Sequence, residues 1–457
     1  MKKLLLILLI TVWCFGEALD RYFPPEDKLV RQKLETWQDV KFGLMMHWAP
    51  YSQWGVMASW TLCCDEWAHR TRGRYQDYHS YVKDYFALAE SFNPVKFDPE
   101  RWAEAANQAG MKYLVFTTKH HDGFCMFDTK TTDYKITNPE YPFAKYENAN
   151  IVREVFSAFR EKDFWIGAYF SKPDWHCEYY WWPYFETGDR NVNYSIRQHP
   201  ERWEQFKKYT YDQIQELMTY YGNIDVLWLD GAQVQPKYYE QDIDMPKIAD
   251  MARKMQPGLL IVDRLVEGPY QNYLTPENQI PSKRIDVPWE SCITMADDGW
   301  SYRFNVHYKS TNELIHTLVE IIAKGGNLLL NIGPDGQGDW DTAAYRRLEE
   351  IGKWMAVNSE AVYGTRSPEI YEEENIFFVK KGADIYAFYL LDEEQKEIPL
   401  KIVIESYQPK TGSSIKLLGY DKQLSWQKNG EGMVIFLNDE MISHPPCQHT
   451  LTFKLEI

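Results

Sequence analysis

Short, nearly continuous apolar runs recur along the first three quarters of the chain, with amphipathic stretches of helical period between them. The runs are VKFGLMMHWA (40–49), YLVFTTKH (113–120), FWIGAYFS (164–171), IDVLWLDG (224–231), LLIVDRL (259–265) and NLLLNIGP (327–334). A strand that is apolar on both faces must be covered on both faces, and intervening helices make the pairing parallel. The helical stretches carry their own punctuation. DPERWAEAANQAG opens with Asp98 as cap and Pro99 in the first turn, and closes on Gly110. The stretches at 150–162, 200–222 and 311–326 follow the same logic. Six or more such units within about 340 residues favour an α/β fold of (β/α)8-like barrel type over an open sheet. No GxGxxG or Walker pattern supports a nucleotide-binding alternative.

Beyond a last helical stretch, TAAYRRLEEIGKWMAVNSEAVYG, the texture changes near residue 365. NIFFVKK, DIYAFYLL, PLKIVIES, SSIKLLGY and MVIFLND are short β runs separated by turn residues. They predict a smaller all-β sandwich over 365–457, after a catalytic barrel over 19–364. The first 18 residues, MKKLLLILLITVWCFGEA, have a basic start, an apolar run and a small-x-small end, which predicts a signal peptide cleaved after Ala18. The expectation is a secreted or periplasmic protein with no membrane span. Lipidation at Cys14 is the alternative, disfavoured by the bulky Trp13 before it. Six cysteines then remain, scattered and without a CxxC pair, so neither a zinc knuckle nor a disulfide framework is signalled.

Net charge is −16 with no basic cluster, which argues against nucleic acid or an anionic membrane surface as partner. Aromatic residues make up 16% of the chain, more than core packing usually needs. Rings with polar rims suit carbohydrate, whose CH faces stack while its hydroxyls hydrogen-bond; an aromatic-rich core is the plain alternative.

Polar residues at the carboxyl ends of barrel strands mark the face where an active site collects. Four runs end that way, at His47, His120 and His121, Asp230 and Arg264. Trp228 and Asp230 stand two apart, so a strand aims both inward. A carboxylate there suits a glycosidase nucleophile, and a turn-capping aspartate is the alternative. Adjacent histidines are poor joint metal ligands, and no HExxH-type spacing supplies a third; no metal and no cofactor are expected. There is no GxSxG elbow for a serine nucleophile.

From about residue 38 to 364 the chain resembles the retaining α-L-fucosidase family of glycoside hydrolases. The resemblance rests on KFGLMMHWAPYS, DEW (65–67), FNPVKFDPERWAEAANQAGMKYLVFTTKHHDGF, GAYFS, WLDG, DR (263–264), WESC and GGNLLLNIGPDGQG, in that order. It implies a barrel, often irregular, with a C-terminal β-sandwich, and an exo-acting hydrolase removing terminal α-L-fucose from glycans through a covalent intermediate. Asp230 matches the nucleophile and Trp228 the aromatic beside it. His47, Glu66, Trp67, His120 and His121 match residues that grip the fucose, with Tyr169, Arg264 and Trp300 completing the pocket. The acid/base falls on a variable loop, where Glu277 in YLTPEN is preferred over Glu290 in PWESC. Glu277 sits in a Pro/Asn/Tyr-rich loop able to approach a leaving group, while Glu290 follows Trp289 in a more regular run. Ala49 and Ala68 depart from the family pattern. The aromatic stretch 174–195 forms either a subsite for the leaving group or a cover over the barrel. An α-L-galactosidase and an inert fucose-binding protein are the competing functions.

Overall fold

A computed structural model describes residues 22–65, 77–393, 398–410 and 412–457. Glu66, Trp67 and Ala68, and the predicted signal peptide with Cys14, lie outside the described residues.

Seven parallel strands form a curled sheet in the order β5-β4-β3-β2-β1-β7-β6. They are β1 (Phe42–Met46), β2 (Tyr113–Lys119), β3 (Trp165–Ser171), β4 (Val226–Asp230), β5 (Leu260–Asp263), β6 (Glu290–Thr294) and β7 (Asn327–Asn331). Six coincide with the apolar runs. The seventh, β6, begins at Glu290 in a run too polar to announce itself.

The two faces of the curled sheet bury different sets. Leu44, Leu114, Ile166 and Leu227 pack outward against the helices. Met45, Val115, Trp228 and Val262 point inward with Tyr113, Tyr169 and Leu329. Space inside is tight: a Cβ on Gly43 would lie 2.4 Å from the Tyr113 ring, so a glycine there leaves room for the tyrosine. The helix Lys28–Val40 plugs the amino-terminal end with Val30, Leu34 and Trp37.

The curl leaves an opening between β5 and β6, and the extended segment 270–278 crosses it. Asn272 N donates to Ile261 O (3.0 Å) on the β5 side. On the β6 side Glu290 N donates to Leu274 O (2.8 Å) and Cys292 N to Pro276 O (3.1 Å). Tyr273 stacks on Trp37 at 4.0 Å between centroids, tying the segment to the plug. This irregular segment takes the eighth barrel position.

The second sheet is antiparallel and eight-stranded, built from β8 (Glu372–Glu373), β9 (Ile376–Lys381), β10 (Asp384–Leu390), β11 (Lys401–Ile404), β12 (Ile415–Leu417), β13 (Gln423–Asn429), β14 (Gly432–Phe436) and β15 (Thr450–Glu456) in the order β11-β14-β13-β12-β15-β10-β9-β8. Strand alternation divides β9 (Ile376–Lys381) cleanly. Ile376 and Phe378 face the second domain's own core, with Ile404 of β11 (Lys401–Ile404) from the far end of the sheet. Phe377 and Val379 face the catalytic domain. Among the described residues no helix is long and apolar enough to cross a membrane.

Candidate active site

At the carboxyl end of the curled sheet a cavity of ≈ 610 Å³ is floored by Tyr169, Trp228 and Asp230 and walled by His47, His120 and His121. His47, His120, His121 and Asp230 come from strand ends, where the ladder stops and the chain must turn, while Tyr169 and Trp228 lie within β3 and β4. Gly231 follows Asp230 with φ 93°, and a Cβ there would strike Pro173 at 2.3 Å, so only a glycine turns the chain at that point.

Asp230 is the best-supported anion in the pocket. Tyr169 Oη donates to Oδ2 (2.7 Å), Gly231 N to Oδ1 (2.7 Å) and Arg264 Nη1 to Oδ1 (3.0 Å). Burial opposes the charge, but Arg264, Tyr169 and the Gly231 N–H together hold the carboxyl far below the usual carboxylate range. Asp230 therefore stands ionised with a defined direction, as a nucleophile requires.

The histidines are neutral. Burial lowers His47 and His121 to about 4, and His120 well below its ordinary value. Their tautomers can be read from their neighbours. Asn331 Nδ2 donates to Trp300 O (2.6 Å), so Asn331 Oδ1 faces His47 Nδ1 at 2.8 Å and Nδ1 carries the proton. Ser171 Oγ donates to Pro173 O (2.7 Å) and so accepts from His121 Nδ1 (2.5 Å). His121 Nε2 is then a bare acceptor, buried, without a hydrogen-bond partner, and 3.7 Å from Asp230 Oδ2. A neutral imidazole makes no ion pair there; a hydroxyl group donating between the two acceptors fits. His120 Nδ1 meets Ser59 Oγ at 2.5 Å.

The adjacent histidines reach one cavity because β2 is irregular: its register with β3 shifts between Thr117 and Lys119. Their rings lie 4.3 Å apart at 43°. Among the described residues no three His, Cys, Asp or Glu side chains are grouped as a metal site.

The two candidate glutamates part company. Glu277 stands on the cavity rim, its side chain 42% exposed, accepting from Trp300 Nε1 (3.0 Å) and paired with Arg264 Nη2. One guanidinium thus bridges Asp230 and Glu277. Glu290 lies under the floor, fully buried, with Tyr113 Oη donating to Oε2 (2.7 Å) and Trp228 Nε1 to Oε1 (3.1 Å). Burial pushes its carboxyl up to about 7.

Residues 13–360 match the family model for alpha-L-fucosidase, and 371–456 match that for the alpha-L-fucosidase C-terminal domain. The chain belongs to the alpha-L-fucosidase family. Mouse tissue alpha-L-fucosidase is 28% identical over 463 residues, covering 95% of this chain and 94% of the mouse protein. Alpha-L-fucosidase isoenzyme 1 from Paenibacillus thiaminolyticus has 28% identity and a TM-score of 0.77, with 94% of this chain and 99% of that one covered. The Thermotoga maritima alpha-fucosidase in complex with a mechanism-based inhibitor has 26% identity and a TM-score of 0.74, covering 95% and 100%.

Relative to the motifs that signalled a fucosidase, the structure adds residues no motif announced. Ser59, Ser171 and Asn331 orient the histidines; Ser171 and Asn331 sat unremarked inside GAYFS and NLLLNIGP, and Ser59 had no signal at all. Trp60, Arg190, Tyr238 and Tyr239 line the outer cavity. The aromatic stretch 174–195 covers the barrel and extends to the edge of the cavity. Trp175, Tyr180 and Trp181 are buried as a cover, while Arg190 reaches the cavity. Within that stretch the Asn193 amide accepts from Trp182 N (2.8 Å) and donates to Trp182 O (3.0 Å), so it is committed to the loop.

Proposed function

We propose that the chain is a secreted or periplasmic, exo-acting retaining α-L-fucosidase in which Asp230 is the nucleophile and Glu277 the acid/base, hydrolysing terminal α-L-fucosides of glycans or glycoconjugates. The observation that carries this reading is the bridging of Asp230 and Glu277 by Arg264 at one cavity. A retaining glycosidase needs two carboxyls close enough for one to touch the anomeric carbon while the other reaches the glycosidic oxygen.

In the first step Asp230 attacks the anomeric carbon as Glu277 gives its proton to the departing oxygen. The bond to the aglycone breaks and an ester to Asp230 forms. In the second step Glu277 takes a proton from water, whose oxygen attacks the same carbon and releases Asp230. Glu277 exchanges its contact with Arg264 for the glycosidic oxygen when the sugar arrives, and Arg264 stays with Asp230. Neutral His47 and His121, with acceptor nitrogens facing inward, accept hydrogen bonds from hydroxyls of the sugar. The N-terminal segment supports export.

Asp230→Ala tests the reading. Turnover of an activated aryl α-L-fucoside should fall at least about 10³-fold. Added azide should enter the vacated face and give the β-fucosyl azide. Wild-type-like activity in the variant would remove Asp230 from the role. Side-by-side assay of α-L-fucoside and α-L-galactoside separates the galactosidase reading, and absence of hydrolysis of either would leave an inert binder.

A further inference from the structure

The cavity continues past the sugar-sized inner chamber to an outer rim with two unusual residues. Tyr239 is 65% exposed and Leu265 52% exposed, and both line the cavity beside Arg264 and Glu277. Both also have left-handed backbone, with φ 50° at Tyr239 and 58° at Leu265. An exposed apolar side chain and a left-handed non-glycine residue are each unfavourable for folding alone, and such strain gathers at ligand-binding positions. Here the two coincide, twice, at one rim.

The Tyr239 turn is built to hold its place. Gln241, fully buried, donates from Nε2 to Gln233 O (3.0 Å) and Asn191 Oδ1 (3.0 Å) and accepts from Tyr180 Oη (2.8 Å). The turn is thereby fastened to the 174–195 cover. Arg190, which also lines the cavity, lies over the Trp60 ring at 4.8 Å and donates from Nε to Asp65 Oδ2 (2.7 Å).

We propose that Tyr239 and Leu265 form a binding site for the leaving group, and that its ligand is the pyranose to which the fucose is attached. A pyranose offers an apolar CH face for the tyrosine ring and leucine, and hydroxyls for the Arg190 side of the mouth. The site rests on the fucosidase reading, since Tyr239 and Leu265 line the same cavity as Asp230 and Glu277.

The test compares α-L-fucosyl fluoride, whose leaving group is too small to touch Tyr239, with a fucosylated disaccharide. Wild-type hydrolysis of the fluoride checks the fucosidase reading on its own. Given that, Tyr239→Ala and Leu265→Gly (a glycine keeps the left-handed turn) should each lower kcat/KM for the disaccharide roughly 3- to 10-fold. The fluoride should stay within about twofold, which also reports an intact fold. Tyr239→Phe should behave like wild type. Losses on both substrates, or on neither, overturn the site; a Phe variant as weak as the Ala variant overturns the stacking role.

Discussion

At the residue scale, the division of labour between carboxyls follows from what surrounds each one. Asp230 has three donors, one of them a guanidinium, and remains an anion; Glu290 has only neutral donors and no cation, so burial favours its acid form. Glu277 is the carboxyl that shares the cavity with Asp230 and stands at its rim, where the proposed mechanism needs an acid. Glu277→Ala should therefore cripple substrates with poor leaving groups yet largely spare fucosylation by an activated aryl fucoside, with azide now yielding the α-fucosyl azide. Pre-steady-state bursts across a leaving-group series would read this, and the same split appearing in Glu290→Ala instead would reassign the role. Glu290 has a pH signature of its own. Its folded value, about 7, lies above the ordinary 4.5, so its contribution to stability is full below about pH 4.5 and is lost as pH rises through 7. A glutamine can accept from Trp228 and donate to Tyr113 Oη, which keeps Leu328 O as acceptor at 3.3 Å. Glu290→Gln should keep activity, and relative to it the wild type should lose on the order of 3 kcal/mol between pH 4.5 and 8. Chemical denaturation at the two pH values measures this; parallel curves would show an ordinary carboxyl. The neutral histidines act in the opposite sense, favouring higher pH between about 4 and 6.5, so comparison with the variant isolates Glu290.

At the scale of elements, the segment 270–278 has two roles. It spans the opening between β5 and β6, and it carries Glu277 to the rim. Its anchor is the Tyr273–Trp37 stack, far from the reacting atoms and fully buried. Left-handed Asn278 ends the segment, with its Oδ1 accepting from Thr294 N (3.0 Å). Removing the anchor should loosen both jobs at once. Tyr273→Ala should cost roughly 3–5 kcal/mol of stability and reduce kcat more than it raises KM, because Glu277 loses its placement. Thermal unfolding with kinetics below the transition would read both, and unchanged kcat would show that Glu277 is positioned by Arg264 and Trp300 alone.

At the scale of the whole molecule, the second domain completes the catalytic core. Phe377, Val379, Tyr386 and Phe388 are buried in the catalytic domain's hydrophobic cluster. Polar ties accompany them: Trp354 Nε1 donates to Thr450 Oγ1 (2.9 Å) and Asn312 Nδ2 to Leu391 O (3.1 Å). Uncovering four such side chains forfeits on the order of 6–12 kcal/mol, comparable to the stability of an entire domain. A chain ending after residue 364 should thus be insoluble or unfolded, and a soluble, active fragment would show the second domain to be dispensable. Much of this architecture was legible in the chain because it is written in local terms. Apolar runs of strand length, capped helices such as 98–110 and the motif order point to a parallel sheet, its helices and the family; Trp228 and Asp230 two apart point inward by strand period alone. The remainder depends on contacts between residues far apart in the chain. Ser59 and Asn331 meet the histidines from 61 and 284 residues away, and β6 was invisible because its first residue is a glutamate made tolerable by Tyr113 and Trp228. Sequence left Glu277 and Glu290 as rivals, with Glu277 preferred, because both follow the nucleophile in the region where the family resemblance puts the acid/base. Burial separates them: the closing of the sheet puts one beneath the floor, while the segment that fills the sheet's opening lifts the other to the rim.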